Sequence, residues 1–244
     1  MEKKLIIIVC LFNICISLYS QNYIAEYYSG DEAKTPLLFN SNEWRYDVIG
    51  EGTTEFSSNE AELQDDLPPS TSKTITLFNF RSLSKNYYLD EEIIPDFTLQ
   101  NKYVIKGELI KPDWTIVSDS IKTIENYTCL MAKGNVRGRD YTVWFTPDIP
   151  VSAGPWKLWG LPGLIVSAQS DDKMVNFYMI SFKKTDKEPV EPIVKATVTH
   201  EEYKILFNDA IKKLSRSIRA TNESIDIDVK ISVSDNYPDK TLLE

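Results

Sequence analysis

The sequence predicts a mainly β (α+β) domain: an antiparallel meander or open half-barrel with one long C-terminal amphipathic helix packed on it. Three observations carry this. Short runs rich in β-branched and aromatic residues recur along most of the chain, separated by turn residues at short spacing. Several of these runs alternate with period two, as where Tyr141, Val143 and Phe145 interleave with Thr142, Trp144 and Thr146. One segment, from Thr199 to Ala220, carries the 3.6-residue period of a helix. Such a helix must lay its apolar stripe on the sheet.

The first twenty residues stand apart from the fold. Lys3 and Lys4 precede an apolar run, and Ser20 precedes Gln21, which is the layout of a secretory signal peptide over residues 1–20. The run is shorter than the ~20 apolar residues a spanning helix needs. Neither Cys10 nor Cys15 follows the small-residue pattern expected before a lipidated cysteine. The expectation is an exported protein of the periplasm or cell envelope, or a secreted one. Loss of Glu2, Lys3 and Lys4 takes the net charge from −9 to −10. A surface this acidic repels nucleic acid and anionic lipid surfaces. Cleavage also leaves Cys129 as the lone cysteine, which has no partner for an internal disulfide.

Residues 21–244 read as a single domain. Tyr23 to Gly30 and Glu43 to Gly50 are rich in β-formers, end at glycine and read as early strands. Residues Gly50 to Lys73 are polar and acidic and contain Pro68-Pro69, so they read as a surface excursion with a short helix around Glu60 to Asp66. Further strands are expected at Thr74 to Phe80, Asn86 to Ile93, Lys102 to Leu109, Ser120 to Ile124 and Tyr127 to Gly134. Gly138 to Thr146, Leu164 to Gln169 and Met174 to Lys184 continue the series, with a turn near Gly134 and Gly138 and another at Ser170 to Lys173.

The helix opens on a capping box, Thr199 with Glu202. Tyr203, Leu206, Phe207, Ala210, Ile211, Leu214 and Ile218 share one face, with Glu201 and Glu202 at the positive end and Lys212, Lys213, Arg216 and Arg219 at the negative end. Beyond it, Ile225, Ile227, Val229, Ile231 and Val233 alternate strictly and predict a strand near an edge.

The stretch GPWKLWGLPGLIVSAQ, Gly154 to Gln169, is too apolar for an ordinary loop and too broken for a helix. Gly154-Pro155 makes a bend, and Gly160 lets the backbone approach a neighbour closely. Leu161-Pro162-Gly163-Leu164 has the arrangement of a type II turn, with Gly163 at positive φ. Leu161, Leu164, Ile165 and Val166 are apolar, so the stretch reads as a twice-bent connection tucked against the core.

GLPGLI (Gly160 to Ile165), preceded by YTVWFTPDIPVSAGPWKLW (Tyr141 to Trp159) and by Arg137-Gly138-Arg139, closely resembles the GLPGLI family of Bacteroidetes proteins. The strand holding Cys129, the leader and the late helix fit that pattern too. The resemblance is densest from Tyr127 to Phe182; Trp159 stands where the family often has glycine. It implies an exported protein and no particular reaction. The layout is also similar, more loosely and at the level of fold alone, to periplasmic lipoprotein carriers, open half-barrels closed by helices.

Catalytic groups are scarce. A nucleophile needs a base within hydrogen-bond reach. The mature chain offers one thiol, Cys129, read as a core residue with a redox role as the alternative, and one histidine, His200, read as solvated at the helix start. No metal site and no cofactor are expected, since one histidine and one cysteine make a poor ligand set. Asp65-Asp66, Asp90-Glu91-Glu92 and Asp171-Asp172 read as solvated turns. No glycine-rich phosphate loop precedes a helix.

The strongest site candidates are Arg137, Arg139, Asp140, Tyr141, Trp144, Asp148, Trp156 and Trp159, where charge meets aromatic side chains as on recognition surfaces. Two readings stand side by side: a ligand-binding surface, or a buried Arg–Asp pair with core tryptophans. Asp140 cannot pair with its neighbour Arg139 along a strand, so an arginine partner must come from elsewhere, with Asp148 the candidate. The expected function is non-catalytic binding of a peptide, a lipid-like ligand or an envelope protein. The alternatives are a carboxylate-dependent hydrolase and a structural accessory subunit of an outer-membrane complex.

Overall fold

The computed structural model describes residues 21–29, 33–58, 71–94, 96, 100–219 and 227–233. The leader 1–20, the short helix expected at Glu60 to Asp66, and Ile225 lie outside them. The described residues form an open antiparallel sheet with one helix, as the sequence predicts. The strands are β1 (Asn22–Ser29), β2 (Ala33–Phe39), β3 (Glu43–Ser58), β4 (Thr71–Ser82), β5 (Tyr87–Ile93) and β6 (Lys102–Glu108). They continue as β7 (Trp114–Ile124), β8 (Tyr127–Val136), β9 (Arg139–Thr146), β10 (Leu164–Ser170), β11 (Asn176–Thr185) and β12 (Ile227–Val233).

The strand order is β6-β5-β4-β3-β2-β1-β11-β10-β9-β8-β7, with β12 added to the far half of β3. Two meanders are therefore joined through β1 and β11, and β6 and β7 are the two ends of the row. Laid flat, eleven strands at about 4.8 Å spacing would hold those ends about 48 Å apart. Yet only residues 109–113 link β6 to β7, and so short a link spans about 20 Å at most. The sheet must curl until its ends nearly meet. One core cluster accordingly draws on both halves, with Trp44 of β3 packed 5.8 Å from Trp159, between ring centroids.

Two expectations change. The polar excursion is strand at both of its ends: Gly50 to Ser58 continue β3, and β4 begins at Thr71, paired from Thr54↔Thr71 onwards, while residues 59–70 lie outside the described ones. A long hairpin satisfies its backbone through the ladder, so a polar composition does not force a loop. In addition β2, which the sequence reading missed, carries Pro36. That proline lies beyond the three residues that pair β2 with β3, where a missing N–H is tolerated.

The helix, α1 (His200–Arg219), starts as predicted. Glu202 N–H donates to Thr199 Oγ1 at 3.2 Å and Thr199 N–H donates to Glu202 Oε2 at 2.7 Å, a reciprocal cap. Tyr203, Leu206, Phe207 and Ala210 pack with Tyr88, Ile94, Tyr103 and Ile105, and Tyr203 Oη donates to Ile93 O. Ile105 stands opposite Asp90 in the ladder, so α1 covers the Asp90 face of β5 and β6. Just before it, Val198 bonds the backbone of Val104 and Lys106 and so occupies part of the β6 edge. No helix among the described residues is long and apolar enough to cross a membrane.

Residues 147–163, between β9 and β10, fold inward as a plug. Ile149, Ala153, Trp156, Leu158, Trp159 and Leu161 are buried in the main core. Its turns are fixed by Leu158 N–H to Pro155 O (3.1 Å), Gly160 N–H to Ser152 O (3.1 Å) and Ile165 N–H to Ala153 O (3.1 Å). The expected roles of two glycines are exchanged. Gly160 takes the positive φ, +97°, while Gly163 is not among the residues at positive φ. A Cβ on Gly163 would stand 2.2 Å from Thr146 O. The corner is therefore not a type II turn with Gly163 left-handed. Gly163 is required because the plug closes directly onto the end of β9.

Candidate functional site

Where the sheet ends approach, the fold leaves a cleft of about 520 Å³. Its inner walls come from Arg81 on β4, Tyr88 on β5, Arg137 on the β8–β9 hairpin, Lys157 and Trp159 on the plug, and His200 at the start of α1. Residues 108–113 form its rim.

Tyr88 organises the cleft. It faces Gly107 across the β5–β6 ladder, and a Cβ there would lie 2.6 Å from the ring, so the glycine makes room for it. The guanidinium carbons of Arg81 and Arg137 lie 5.3 and 5.2 Å from the Tyr88 ring centroid, within cation–π range. Arg137 is held there by an unusual backbone. With Gly138 it forms a two-residue hairpin in which both residues have positive φ, 52° and 77°. Asn or Gly is favoured at such a position, and arginine is not.

Beneath the ring lies a buried ionic group. Arg81 and Asp90, 3% and 2% exposed, form a two-pronged pair at 2.5 and 3.1 Å, and Asn79 Nδ2 donates to Asp90 Oδ1 at 2.9 Å. Lys157 Nζ donates to Glu92 Oε1 at 2.8 Å, joining the plug to β5. Burial pushes the Asp90 carboxyl up, but the charges of Arg81, Lys157 and Arg137, with the Arg81 hydrogen bonds, outweigh it and hold Asp90 below its ordinary value. Asp90 and Glu92 are thus not solvated turn residues. They sit two apart in a strand, share one face with Tyr88, and survive burial because each meets a cation.

The predicted site residues divide. Arg137 and Trp159 line the cleft. Trp159 O accepts from Trp114 Nε1 at 2.7 Å, which ties the plug to the first residue of β7. Tyr141 and Trp156 are core residues. Arg139 is buried and pairs with Asp172 at 3.0 Å, so the expected partner Asp148 is replaced by a residue of the β10–β11 turn. Asp148 instead takes the Thr128 N–H at 3.4 Å. Asp140 is exposed and accepts from Asn135. Trp144 faces outward, with Lys122 Nζ 4.0 Å from its ring centroid. Arg137 and Trp159 thus stand at the cleft, Tyr141 and Trp156 in the core, and Arg139 in a pair whose carboxylate, Asp172, is exposed.

Sequence reasoning missed Arg81, Tyr88, Asp90, Glu92 and Lys157. Lys157 left a trace, being the single charge in an otherwise apolar stretch. Asp90 and Glu92 left a weaker one, through their shared strand face with Tyr88. Cys129 is buried in the core, with Sγ 3.4 Å from Tyr127 O, and burial pushes its thiol pKa up. His200 is half-buried at the cleft rather than fully solvated. No cluster of three or more metal-ligating side chains occurs among the described residues.

The fold and cleft define a curled, open β-sheet protein with an internal plug. Residues 135–167, which span the β8–β9 hairpin, β9 and the plug, match a family described as "Protein of unknown function (Porph_ging)". No curated protein matches the chain. Two solved structures of a protein described as PNGF-II, in different crystal forms, are similar in fold: 15% identity, TM-score 0.50, covering 78% of this chain. The chain spans about a third of the length of those structures, 34% and 33%.

Proposed function

We propose that this is an exported, non-catalytic binding protein of the bacterial cell envelope that takes a peptide or lipid-like ligand in the cleft between the sheet ends. One observation carries the reading. The cleft is formed where the fold fails to close, and its walls combine apolar, aromatic and cationic side chains: Tyr88, Trp159, Arg81 and Arg137. Its volume lies within the range of ligand sites. The resemblance of Gly160 to Ile165 and its surroundings to the GLPGLI family, together with the leader at 1–20, supports export.

The hydrolase alternative draws less support. A proton-donating carboxyl needs a raised pKa, whereas Asp90 is held low. A protein partner, as for an accessory subunit, draws some support from β7, an end strand with exposed Ile116 and Ile121. Co-purification from envelope extracts tests that reading.

The test of ligand binding is tryptophan fluorescence of the mature chain during titration with a panel of peptides, single-chain amphiphiles and envelope extracts. A saturable change that disappears in Trp159→Phe supports the cleft. No response to any member of the panel overturns the reading.

A further inference from the structure

We propose a second binding site, on the outer face of the sheet, that takes an uncharged polysaccharide chain; it goes beyond the cleft reading above and does not rest on it. The strand registers build the site. Tyr28 of β1 stands opposite Tyr178 of β11, Tyr178 opposite Ser167 of β10, Ser167 opposite Trp144 of β9, and Trp144 opposite Met131 of β8. Directly opposed residues share a face. The strand neighbours of the three rings, Tyr27, Phe177, Met179, Val143 and Phe145, are buried in the core, so the row itself points outward. Tyr28 and Tyr178 are 40% and 39% exposed, and Trp144 is half-buried. Two residues along each strand runs a second outward row: Asn176, Gln169, Thr142 and Lys133. A line of aromatic faces thus lies beside a line of amide and hydroxyl groups.

A sugar chain carries both halves of that chemistry. The C–H bonds on one face of a sugar ring are weakly positive and meet the negative face of an aromatic ring. Its hydroxyls donate to and accept from amides and hydroxyls. Charge complementarity favours a neutral ligand. The chain as a whole is at −9, yet of the eight residues that the two rows hold from β11 to β8 only Lys133 is charged. Lys122 and Glu125 reach in from β7 and its hairpin, and they oppose each other in sign. A protein partner fits less well. The apolar row is one residue wide, and beyond it Ser181 Oγ donates to Glu26 Oε2 at 2.6 Å. A stable protein interface needs a broad apolar centre within roughly 1,000 Å² or more.

The small side chain of Ser167 leaves a trough between two rings. Tyr178 and Trp144 are two strand spacings apart, about 10 Å, so a ligand that touches both is longer than one sugar ring. Tyr178 Oη donates to Glu125 Oε1 at 3.0 Å, which fixes its ring. Lys122 Nζ lies 4.0 Å from the Trp144 ring centroid. An exposed contact of this kind is weak, and the ammonium moves aside to donate to a sugar hydroxyl.

The experiment is electrophoresis of the mature protein through gels containing β-glucan, xylan, galactomannan, dextran or polygalacturonate, followed by calorimetry with the matching hexasaccharides and monosaccharides. The expected result is that at least one neutral polymer retards the protein, that its hexasaccharide binds about tenfold or more tighter than its monosaccharide, and that added salt leaves the affinity unchanged. Trp144→Ala should weaken binding about tenfold or more, and Trp144→Phe, which keeps a ring, should retain most of it. Gln169→Ala removes an exposed side chain outside the core, so its fold is secure; it should weaken binding about threefold or more, the loss of one hydrogen bond. Trp159→Phe, which tests the cleft, should bind the polymer as the parent does, so failure of one site is distinguishable from failure of the other. Retardation by polygalacturonate alone overturns the inference, as does a neutral polymer that binds Trp144→Ala and Gln169→Ala as tightly as the parent. Passage through every gel without retardation also overturns it and leaves the cleft reading standing. An envelope protein captured only when Trp144 is present, with no polymer retarding the chain, would make the row a protein interface instead.

Discussion

Lys157 donates to Glu92 at 2.8 Å across 65 residues of sequence, with side chains 6% and 8% exposed. The contact ties the inward plug to β5, and with it one wall of the cleft to another. A buried pair of this kind adds little net stability, because the desolvation of both ions opposes their attraction. Its weight lies in what happens when one member is removed.

Glu92→Gln and Lys157→Met should each destabilise the fold by about 3–5 kcal/mol, since each leaves a buried charge without the counter-ion that met it at 2.8 Å. The double variant Glu92→Gln with Lys157→Met should be less destabilised than the sum of the two single ones. Urea unfolding of the four proteins checks this. Additive losses would show that the two side chains do not act as a pair.

Asp90 gives the fold an acid-sensitive component. Its carboxyl is held below the ordinary 3.8 by Arg81, Lys157 and Arg137, despite a burial that raises it. A carboxyl lowered in the folded state contributes stability that is fully present above its unfolded value and is lost as pH falls through the folded value. Stability should therefore decline as pH drops below about 4. Asp90→Asn should be destabilised at pH 7 and show a shallower decline in acid. Parallel pH–stability curves for the two proteins would contradict this assignment.

The two glycines of the plug should respond differently to alanine. In Gly163→Ala the new methyl meets Thr146 O at 2.2 Å, a backbone clash that only displacement of β9 or the plug relieves. Failure to accumulate as folded protein is the expected outcome. In Gly160→Ala the nearest atom is Lys111 Cγ at 3.1 Å, the stem of a flexible side chain. The cost there is the φ of +97°, roughly 1–3 kcal/mol. Circular dichroism melts of both variants check the order, and a Gly163→Ala protein as stable as Gly160→Ala would refute the packing described for this corner.

Cys129 should resist thiol reagents in the folded protein, being fully buried with its pKa raised by that burial. Modification should proceed at the rate of unfolding and become fast in denaturant. Rapid labelling of the native chain would place the thiol at the surface instead.

The local parts of this fold were legible in the sequence because they depend on near neighbours. The Thr199–Glu202 cap spans one turn, the stripe from Tyr203 to Ala210 repeats at 3.6 residues, and the alternation of β9 marks its inner face. Arg137 and Trp159, which line the cleft, stood out in the sequence by composition alone. Less visible was β2, whose Pro36 argues against a strand until the extent of its ladder is known. Arg139 also misled, because its partner Asp172 belongs to a turn 33 residues away.

By itself the sequence determined the fold class, the helix and its cap, and the presence of a bent apolar segment between two strands. Those follow from periodicity and from steric limits on single residues. Only the tertiary structure decided that the sheet curls until β6 and β7 nearly meet, that the bent segment plugs the interior, and that Arg81, Asp90, Glu92, Arg137 and Lys157 converge there. The reason is physical. A charged residue in a strand or loop is stable either in water or beside an opposite charge, and which of the two applies depends on strand register and chain closure, quantities set by contacts between residues far apart in the chain.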